Sequence, residues 1–319
     1  MTIAIRGYDH VRDALSGAVA IDGVELVHLD LPVEEVFRRF LRGAEWEVSE
    51  MSMGAYAALV ARGGGSMVAI PVFPSRMFRH SAIFVRADSG LRDAGQLAGR
   101  RIGVVDWAQT AAIYVRGALA DQFGVRLDAI DWCQGGLSHP AAAGEDMVGA
   151  VPPPGVRLSR VTDRSLEDLL LAGDLDAVIA TRAPAAANGP DAPVRRLFER
   201  PRAVEEAYWR AHGVFPIMHT VVIRRDVHEA HPWLARRLYA GLDAARERSV
   251  QRLLDPAAPY FPLPWAREWA LDARELLGGD AWAYGLEPNR ATLEAFGRYA
   301  HEQGVTAHRL APEELFPPI

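Results

Sequence analysis

Short runs of apolar residues alternate along the chain with stretches in which apolar positions recur every three or four residues. The short runs are mostly apolar at every position, as is typical of parallel strands that are covered on both faces. They predict strands at residues 2–7, 67–73, 80–86, 101–106, 176–181 and 217–224. Strands that alternate with helices in this way predict an α/β architecture.

Prolines, hydroxyl residues and glycines mark the ends of the predicted helices. Pro32 begins a helix that runs to about Arg42 and is closed by Gly43, and a second helix at 110–123 is followed by Gly124. Further helices are predicted at 52–62, after a cap at Ser165, from Pro232 onward, and between Asn289 and Gly304.

The length of 319 residues suggests about two domains. The segment RADSGLRDAGQLAGRRIGVV is similar to the hinge of type 2 periplasmic-binding-protein folds, in which two chain crossings join two lobes over a ligand cleft. This interpretation predicts a first lobe formed by 1–90 plus 216–319 and a second lobe formed by 91–215. The stretch at 139–156 is rich in Pro, Ala and Gly and is predicted to be a surface loop.

The charges are mixed along the chain, with 41 acidic residues, 35 basic residues and a net charge of -6. No basic stripe is present, so neither a nucleic acid nor a membrane is an expected partner. Every basic residue is arginine, and without lysine the chain cannot form a Schiff base with pyridoxal phosphate or a lysine-containing phosphate loop. An anion must therefore be bound by arginine or histidine.

Cys133 is the single cysteine, which excludes an intramolecular disulfide and a CxxC redox pair. The first residues lack the pattern of a secretory signal, and no apolar run approaches the roughly 18 to 20 residues that cross a bilayer. We therefore expect a cytoplasmic protein. The oligomeric state is left open, a homo-oligomer included.

Residues with useful chemistry follow several of the predicted strands, where open α/β sheets bind their ligands. They include Tyr8 to His10, Ser52, Phe73 to His80, Asp106 to Thr110, Thr181, Arg182 and His219. Such a set suits a flat, anionic, hydroxylated small molecule. The densest stretch, PVFPSRMFRHS, can also be a rigid turn with solvated arginines, and His219 can also be a core histidine with satisfied hydrogen bonds.

Other motifs carry no catalytic prediction. His228 and His231 are spaced one residue short of a zinc HExxH motif, and no other spacing demands a metal, although a divalent ion held by histidines with Asp9 or Asp106 stays open. Cys133 has no paired base in its neighbourhood, and no GxSxG elbow exists to position a catalytic serine. We expect no metal and no organic cofactor.

Several segments together resemble 4,5-dihydroxyphthalate decarboxylase and its relatives. They extend from GYDH and EMSMGAY near the start, through IPVFPSRMFRHSAIFVRADSG, GVVDWAQTAAIYVRG and FPIMHTVVIRRD, to YGLEPNR and HEQGVT near the end. The resemblance implies a carboxy-lyase that removes one carboxyl group from a dihydroxylated aromatic dicarboxylate, giving protocatechuate and carbon dioxide. Such chemistry needs an acid near the ring carbon, an acceptor for the phenolic proton, and cations for the spectator carboxylate.

The catalytic hypothesis assigns these roles to residues of both lobes. His80 is the first choice for the proton donor and His219 for the group that serves the phenol, with the reverse assignment still open. Arg76 and Arg182 are expected to bind carboxylate oxygens from opposite lobes. The other predicted substrate-binding residues are Tyr8, Asp9 and Ser52 for the hydroxyls, Phe73 and Trp107 for the ring, Gln109 and Thr110 as donors at a helix start, and Arg79.

Two other functions remain as alternatives. The strongest is a non-catalytic solute-binding protein for a small aromatic or carboxylate ligand, since the same fold serves transporters. The weaker one is a pyrimidine-forming enzyme of thiamine synthesis, for which the chain lacks both a cysteine-rich iron motif and a lysine. The exact aromatic acid also stays open, because specificity depends on the shape of the pocket.

Overall fold

The computed structural model describes residues 1–141 and 146–318, within which eleven strands form two sheets. In chain order the strands are β1 (Thr2–Ala4), β2 (Val27–Leu29), β3 (Val48–Ser52), β4 (Met67–Arg76), β5 (Ile83–Arg86), β6 (Arg101–Val104), β7 (Asp131–Gln134), β8 (Arg157–Arg160), β9 (Ala177–Ile179), β10 (Val194–Arg196) and β11 (Ile217–Arg224). All six predicted strands have a counterpart, whereas β2, β3, β7, β8 and β10 were not predicted.

The helices pack around these sheets. They are α1 (Asp9–Leu15), α2 (Val33–Gly43), α3 (Met53–Val60), α4 (Thr110–Phe123), α5 (Leu166–Ala172), α6 (Pro201–His212), α7 (Arg225–Ala230), α8 (Leu234–Leu254), α9 (Ala266–Leu276), α10 (Arg290–Glu302) and α11 (Pro312–Leu315). Gly124 ends α4 with a φ of 64°, as predicted. The prediction for α2 was wrong in detail, because Gly43 is its last residue and Ala44 adopts the left-handed conformation. Among the described helices, none combines the length and the apolarity that crossing a membrane requires.

The two sheets have mixed topology. The first has the order β2-β1-β3-β11-β4, in which β11 runs antiparallel to both β3 and β4. The second has the order β10-β5-β9-β6-β7-β8, with β9, β6, β7 and β8 parallel to one another. The predicted α/β fold with two lobes is confirmed.

The chain passes between the sheets once after β4 and once before β11. Strand β5 lies within the range predicted for the first lobe, yet it pairs with β9 and β10 of the second sheet. Sheet membership therefore changes after Arg76 rather than near residue 90, and the division into lobes at 90 and 216 stays a prediction. Of the predicted loop at 139–156, residues 142–145 lie outside the described residues, and the rest contains no helix or strand.

Two prolines interrupt the regular pairing of β4 with β11. Pro71 and Pro74 of β4 cannot donate backbone hydrogen bonds, and the register with β11 shifts between them. Near the register shift, the Thr220 hydroxyl of β11 donates to two carbonyl oxygens of β4, that of Ile70 at 3.0 Å and that of Val72 at 3.3 Å. His219 lies between two register shifts, paired with Ser75 of β4 on one edge of β11 and with Ser52 of β3 on the other.

Candidate active site

A cleft of about 1090 Å³ lies at the carboxyl ends of strands from both sheets. Its volume is near the upper end of the roughly 300–1,000 Å³ that small-molecule sites occupy. Six residues predicted from the sequence line it: Ser52, Arg79, Gln109, Thr110, Arg182 and His219. The structure thus brings half of the predicted set together, with contributions from both sheets.

His219 forms a hydrogen-bonded pair with a buried acid. Its Nδ1 lies 2.6 Å from Oε1 of Glu50, whose side chain is fully buried, whereas the His219 side chain is 15% exposed. Because a carboxylate only accepts hydrogen bonds, Nδ1 carries the proton and Nε2 is the nitrogen left for the cleft. The Phe37 ring meets the imidazole edge-on at 4.9 Å and restricts its rotation.

Glu50 is held by two further donors. The Tyr8 hydroxyl donates to Oε1 at 2.7 Å, and the backbone N–H of Arg6 donates to Oε2 at 3.0 Å. Burial raises the pKa of the Glu50 carboxyl, but hydrogen bonds and the charge of His219 outweigh it, so that the pKa lies below its ordinary value. Glu50 is therefore an ionised carboxylate behind His219, and Tyr8 serves this pair rather than lining the cleft.

His10 lies next to the cluster of His219, Glu50 and Tyr8. Its ring stacks on Tyr8 at 5.4 Å, and its Nε2 is buried without a hydrogen-bond partner among the described residues. Burial is the main cause that lowers the pKa of His10 from 6.5 to about 4. The folded protein therefore holds this imidazole neutral at pH values at which the unfolded chain protonates it.

We expect His10 to contribute to acid sensitivity. Because the pKa of His10 is lower in the folded than in the unfolded protein, this group does not reduce the free energy of unfolding above about pH 6.5. As the pH falls toward 4, the unfolded chain binds a proton that the folded protein does not, and the free energy of unfolding decreases by up to about 3 kcal/mol. The variant His10→Gln should lose less free energy of unfolding between about pH 7.5 and pH 4.5, as measured by urea denaturation. The exposed His231, changed to Gln, is the matched control. Equal losses in all three proteins would contradict the assignment.

The starts of α3 and α4 meet at the floor of the cleft. The Ser52 and Thr110 hydroxyl oxygens are 3.0 Å apart, and the backbone N–H of Gly54 donates to the Thr110 hydroxyl at 2.9 Å. A Cβ at Gly54 would stand 2.2 Å from the carbonyl oxygen of Ala108, so only glycine allows this approach. Ser52 and Thr110 therefore link the two sheets directly beneath the cleft.

Arg79 places a positive charge in the cleft. Burial lowers the pKa of its guanidinium to about 10, which leaves it charged at neutral pH. Its Nε donates to the Met218 sulfur at 3.1 Å, and no ion pair joins it to an acid within 1–141 and 146–318. A desolvated guanidinium without a carboxylate partner is suited to bind one from a ligand through paired hydrogen bonds.

Arg182 lies at the mouth of the cleft. Its Nη2 donates to Glu34 at 2.7 Å, which connects the loop after β9 with the first turn of α2. The two side chains are 72% and 59% exposed, so the pair itself contributes little to stability. Arg182 is thus positioned at the entrance, with its charge already paired.

The opposite wall of the cleft carries hydrogen-bond acceptors. The Asp106 carboxylate accepts the backbone N–H of Ala108 at 2.7 Å and that of Met147 at 3.0 Å. Burial is the main cause that raises the pKa of Asp106. The Oε1 of Gln109 is buried and has no hydrogen-bond partner in the part of the chain that the structure describes.

His80 lies outside the cleft, which corrects its predicted position there. It is 5% exposed, its Nε2 is 2.8 Å from Oε1 of Gln122, and the rings of Phe123, Phe198 and Tyr208 surround it. It borders a separate cavity of only about 10 Å³. Burial also lowers the pKa of His80, which favours the neutral form. His80 is therefore a buried, hydrogen-bonded packing histidine.

Arg76 also lies away from the cleft. Its guanidinium donates to the carbonyl oxygen of Phe215 at 3.0 Å and lies over the ring of that residue at 4.4 Å. Burial lowers the pKa of Arg76 to about 10. The expected clamp by Arg76 and Arg182 is therefore not formed, because Arg76 binds the backbone on the other side of β4.

Three more predicted contact residues have structural partners instead. Phe73 is fully buried and meets Tyr284 and Phe316 edge-on. Trp107 is buried and donates to the carbonyl oxygen of Gln303 at 2.8 Å. Asp9 accepts from Ser249 at 2.6 Å and is paired with Arg12 and Arg252. The predicted contacts of Phe73 and Trp107 with the ring and of Asp9 with a hydroxyl do not fit these positions.

The sequence interpretation missed Glu50, which orients His219. The prediction offered no signal for it, because β3 was not predicted and the burial of all five of its residues is seen only in the structure. A carboxylate in a fully buried strand needs hydrogen-bond donors. Buried acids with such specific partners are candidates for functional sites. As for a metal, no group of three or more His, Cys, Asp or Glu side chains converges within the described ranges.

Comparison with known proteins identifies the family. A curated 4,5-dihydroxyphthalate decarboxylase from Comamonas testosteroni is 36% identical over 319 residues, which cover 100% of this chain and 96% of that protein. The chain belongs to the 4,5-dihydroxyphthalate decarboxylase family. A second relative of that name, from Pseudomonas putida, is 33% identical over 211 residues, or 66% of this chain and 81% of the relative. The present family member is accordingly a decarboxylase, that is, a carboxy-lyase.

Other similarities describe the fold of this decarboxylase. Residues 3–144 match the family model described as "ABC transporter, phosphonate, periplasmic substrate-binding protein". The periplasmic aliphatic sulphonate binding protein SsuA from Escherichia coli superimposes with a TM-score of 0.55 at 10% identity, covering 100% of this chain and 92% of SsuA. SsuA from Xanthomonas axonopodis pv. citri gives 0.54 at 13% identity, with coverages of 99% and 97%. These likenesses confirm the two-lobed binding-protein fold.

Proposed function

We propose that this decarboxylase converts 4,5-dihydroxyphthalate to protocatechuate and carbon dioxide in the cleft between its two sheets. The full-length relative of that name supports the substrate class. The observation that carries the proposal is the His219–Glu50 pair, which presents an imidazole nitrogen to a cleft that also contains the unpaired Arg79. An acid and a carboxylate-binding cation are two of the devices that the reaction needs.

The proposed reaction begins with proton transfer from the protonated His219. Nε2 donates its proton to the ring carbon that bears the leaving carboxylate, and the hydroxyl para to that carbon stabilises the positive charge of the ring. The bond from the ring to the carboxylate then breaks, its electron pair restores aromaticity, and carbon dioxide departs. His219 is left neutral and regains a proton from solvent, which balances the overall uptake of one proton.

Glu50 supports both protonation states of His219 in this proposal. Its carboxylate accepts the Nδ1 proton and so directs Nε2 toward the substrate, and its negative charge stabilises the imidazolium that must form before each turnover. Tyr8 and the Arg6 backbone keep the carboxylate in place. Because Glu50 is fully buried, the imidazole does not depend on solvent for its orientation.

Arg79 binds the spectator carboxylate in the proposed complex. A guanidinium can make two parallel hydrogen bonds to one carboxylate, which fixes both the position and the rotation of the ring. The neighbouring Met218 and Met77 offer flexible apolar surface to the ring face. Ser52, at the floor of the cleft, supplies a hydroxyl beside the same end of the substrate.

The direct test is incubation of the purified protein with 4,5-dihydroxyphthalate. We expect protocatechuate and carbon dioxide in equal amounts, followed by chromatography and by trapping of the gas. Phthalate, which lacks the hydroxyls, should not react, because ring protonation then has no para oxygen to stabilise it. Tight binding of 4,5-dihydroxyphthalate without turnover would instead favour a solute-binding protein.

A further inference from the structure

The second-lobe wall of the cleft contains an acceptor that lacks a donor. Oε1 of Gln109 is buried, faces no hydrogen-bond donor within residues 1–141 and 146–318, and belongs to a side chain that lines the cleft. Among the described residues twelve buried side-chain atoms lack a partner, and Oε1 of Gln109 is the one whose side chain lines the cleft, where a ligand group can supply the donor. The missing group must be a donor such as a hydroxyl.

Asp106 adds a second acceptor on the same wall. The backbone N–H of Gln109 donates to the Asp106 carbonyl at 3.1 Å, so a single turn holds both side chains. Each oxygen of the Asp106 carboxylate accepts one backbone N–H and retains a free lone pair. Asp146 also lines this wall and adds to the effect of burial in raising the pKa of Asp106, and its own charge is paired with Arg160, another residue of the cleft.

We propose that Gln109 and Asp106 accept the two phenolic hydroxyls of the substrate and thereby determine its specificity. This inference rests on the proposed function. The catechol end of the ring then lies against the second lobe, and its carboxylates face His219 and Arg79 of the first. Gln109, expected from the sequence to donate to a carboxylate, takes the opposite role.

This orientation agrees with the demands of the chemistry. The leaving carboxylate and the hydroxyl that stabilises the charged ring are para to each other, so they must lie on opposite sides of the cleft. A hydrogen bond accepted from that hydroxyl increases electron donation into the ring carbon that receives the proton. The same contacts reject analogues that lack a hydroxyl, because the acceptors would then remain unpaired.

The test compares two substrates in matched variants. 4-Hydroxyphthalate keeps one hydroxyl para to a carboxylate and lacks the second. We expect wild-type kcat/KM to favour 4,5-dihydroxyphthalate by about tenfold or more, and Gln109→Leu to reduce this preference by about tenfold. Gln109→Glu should preserve the preference, because its carboxylate oxygens still accept. The exposed Gln251, changed to Leu, is the control.

The variants show whether the Gln109 side chain acts as a hydrogen-bond donor or as an acceptor. If Gln109 binds a carboxylate through its N–H groups, Gln109→Glu will be worse than Gln109→Leu with both substrates, and the proposal is overturned. An unchanged preference in a folded Gln109→Leu variant, checked by thermal unfolding, also overturns it. If the wild type converts neither compound, the proposed function fails, and the affinities of both diacids for the same variants, measured by calorimetry, still test the contact.

Discussion

Replacing His219 with glutamine should reduce kcat for decarboxylation by about 10² to 10⁴-fold, the contribution that a positioned acid or base typically makes. Glutamine can still donate to Glu50 through its amide, so the buried carboxylate keeps a partner and the fold is preserved. It cannot transfer a proton to the ring carbon. KM should change little, because binding depends on Arg79 and on the walls of the cleft. Stopped assays of protocatechuate formation measure both constants.

Two histidines outside the cleft provide the controls. His308 is exposed, and His308→Gln should match the wild type. His80→Gln should retain kcat but lower the free energy of unfolding by about 1–3 kcal/mol, because it disturbs a buried hydrogen bond and its aromatic surroundings. A His219→Gln enzyme with wild-type turnover, or a folded His80→Gln enzyme without turnover, would return the acid to the position first expected from the sequence.

The sequence pattern did not distinguish His219 from His80. His80 comes shortly after β4 and His219 lies within β11, and both belong to segments that carry the family resemblance, so the pattern ranked them together. What separates them is a partner distant in the chain: Glu50 is 169 positions from His219, and Gln122 is 42 positions from His80. Such pairs depend on tertiary packing, which periodicity does not encode.

Elements whose ends are marked by residues such as glycine were predicted best. The helix at Thr110–Phe123 matched residue for residue, with Gly124 in the left-handed conformation marking its end. The strands that were missed all contain charged or other polar residues and so lack the mostly apolar runs by which the other strands were predicted. One of them, β3, contains Glu50, so missing the strand also meant missing the acid behind His219.

The sequence also did not reveal which residues of β4 share a face. In a regular strand, alternate residues share a face, and this rule would group Phe73 with Ser75. Pro71 and Pro74 interrupt the pairing with β11, and the register shift cancels the alternation. Arg76 is the last residue of β4 and Arg79 lies in the segment after it, and only Arg79 reaches the cleft.

Replacing Arg79 with methionine should lower kcat/KM by about 10²-fold while making the free protein more stable. Charge-assisted hydrogen bonds contribute about 1.5–3 kcal/mol each, and the variant loses all of those to the spectator carboxylate. In the free wild type no ion pair joins this desolvated guanidinium to an acid among the described residues, and burial, which the charge of Glu205 offsets only in part, lowers the pKa of Arg79 to about 10 and costs stability. A methionine of similar length removes that cost.

Thermal unfolding with and without substrate separates these two effects. The free Arg79→Met variant should unfold at a higher temperature than the wild type, yet 4,5-dihydroxyphthalate should raise its unfolding temperature far less. Arg79→Lys should fall between them, because a compact ammonium cannot form the paired bonds of a guanidinium. The exposed Arg236, changed to Met, is the control. An equal stabilisation by substrate in Arg79→Met and wild type would mean that the carboxylate binds elsewhere, since a cation that contacts it in the complex cannot be removed without weakening binding.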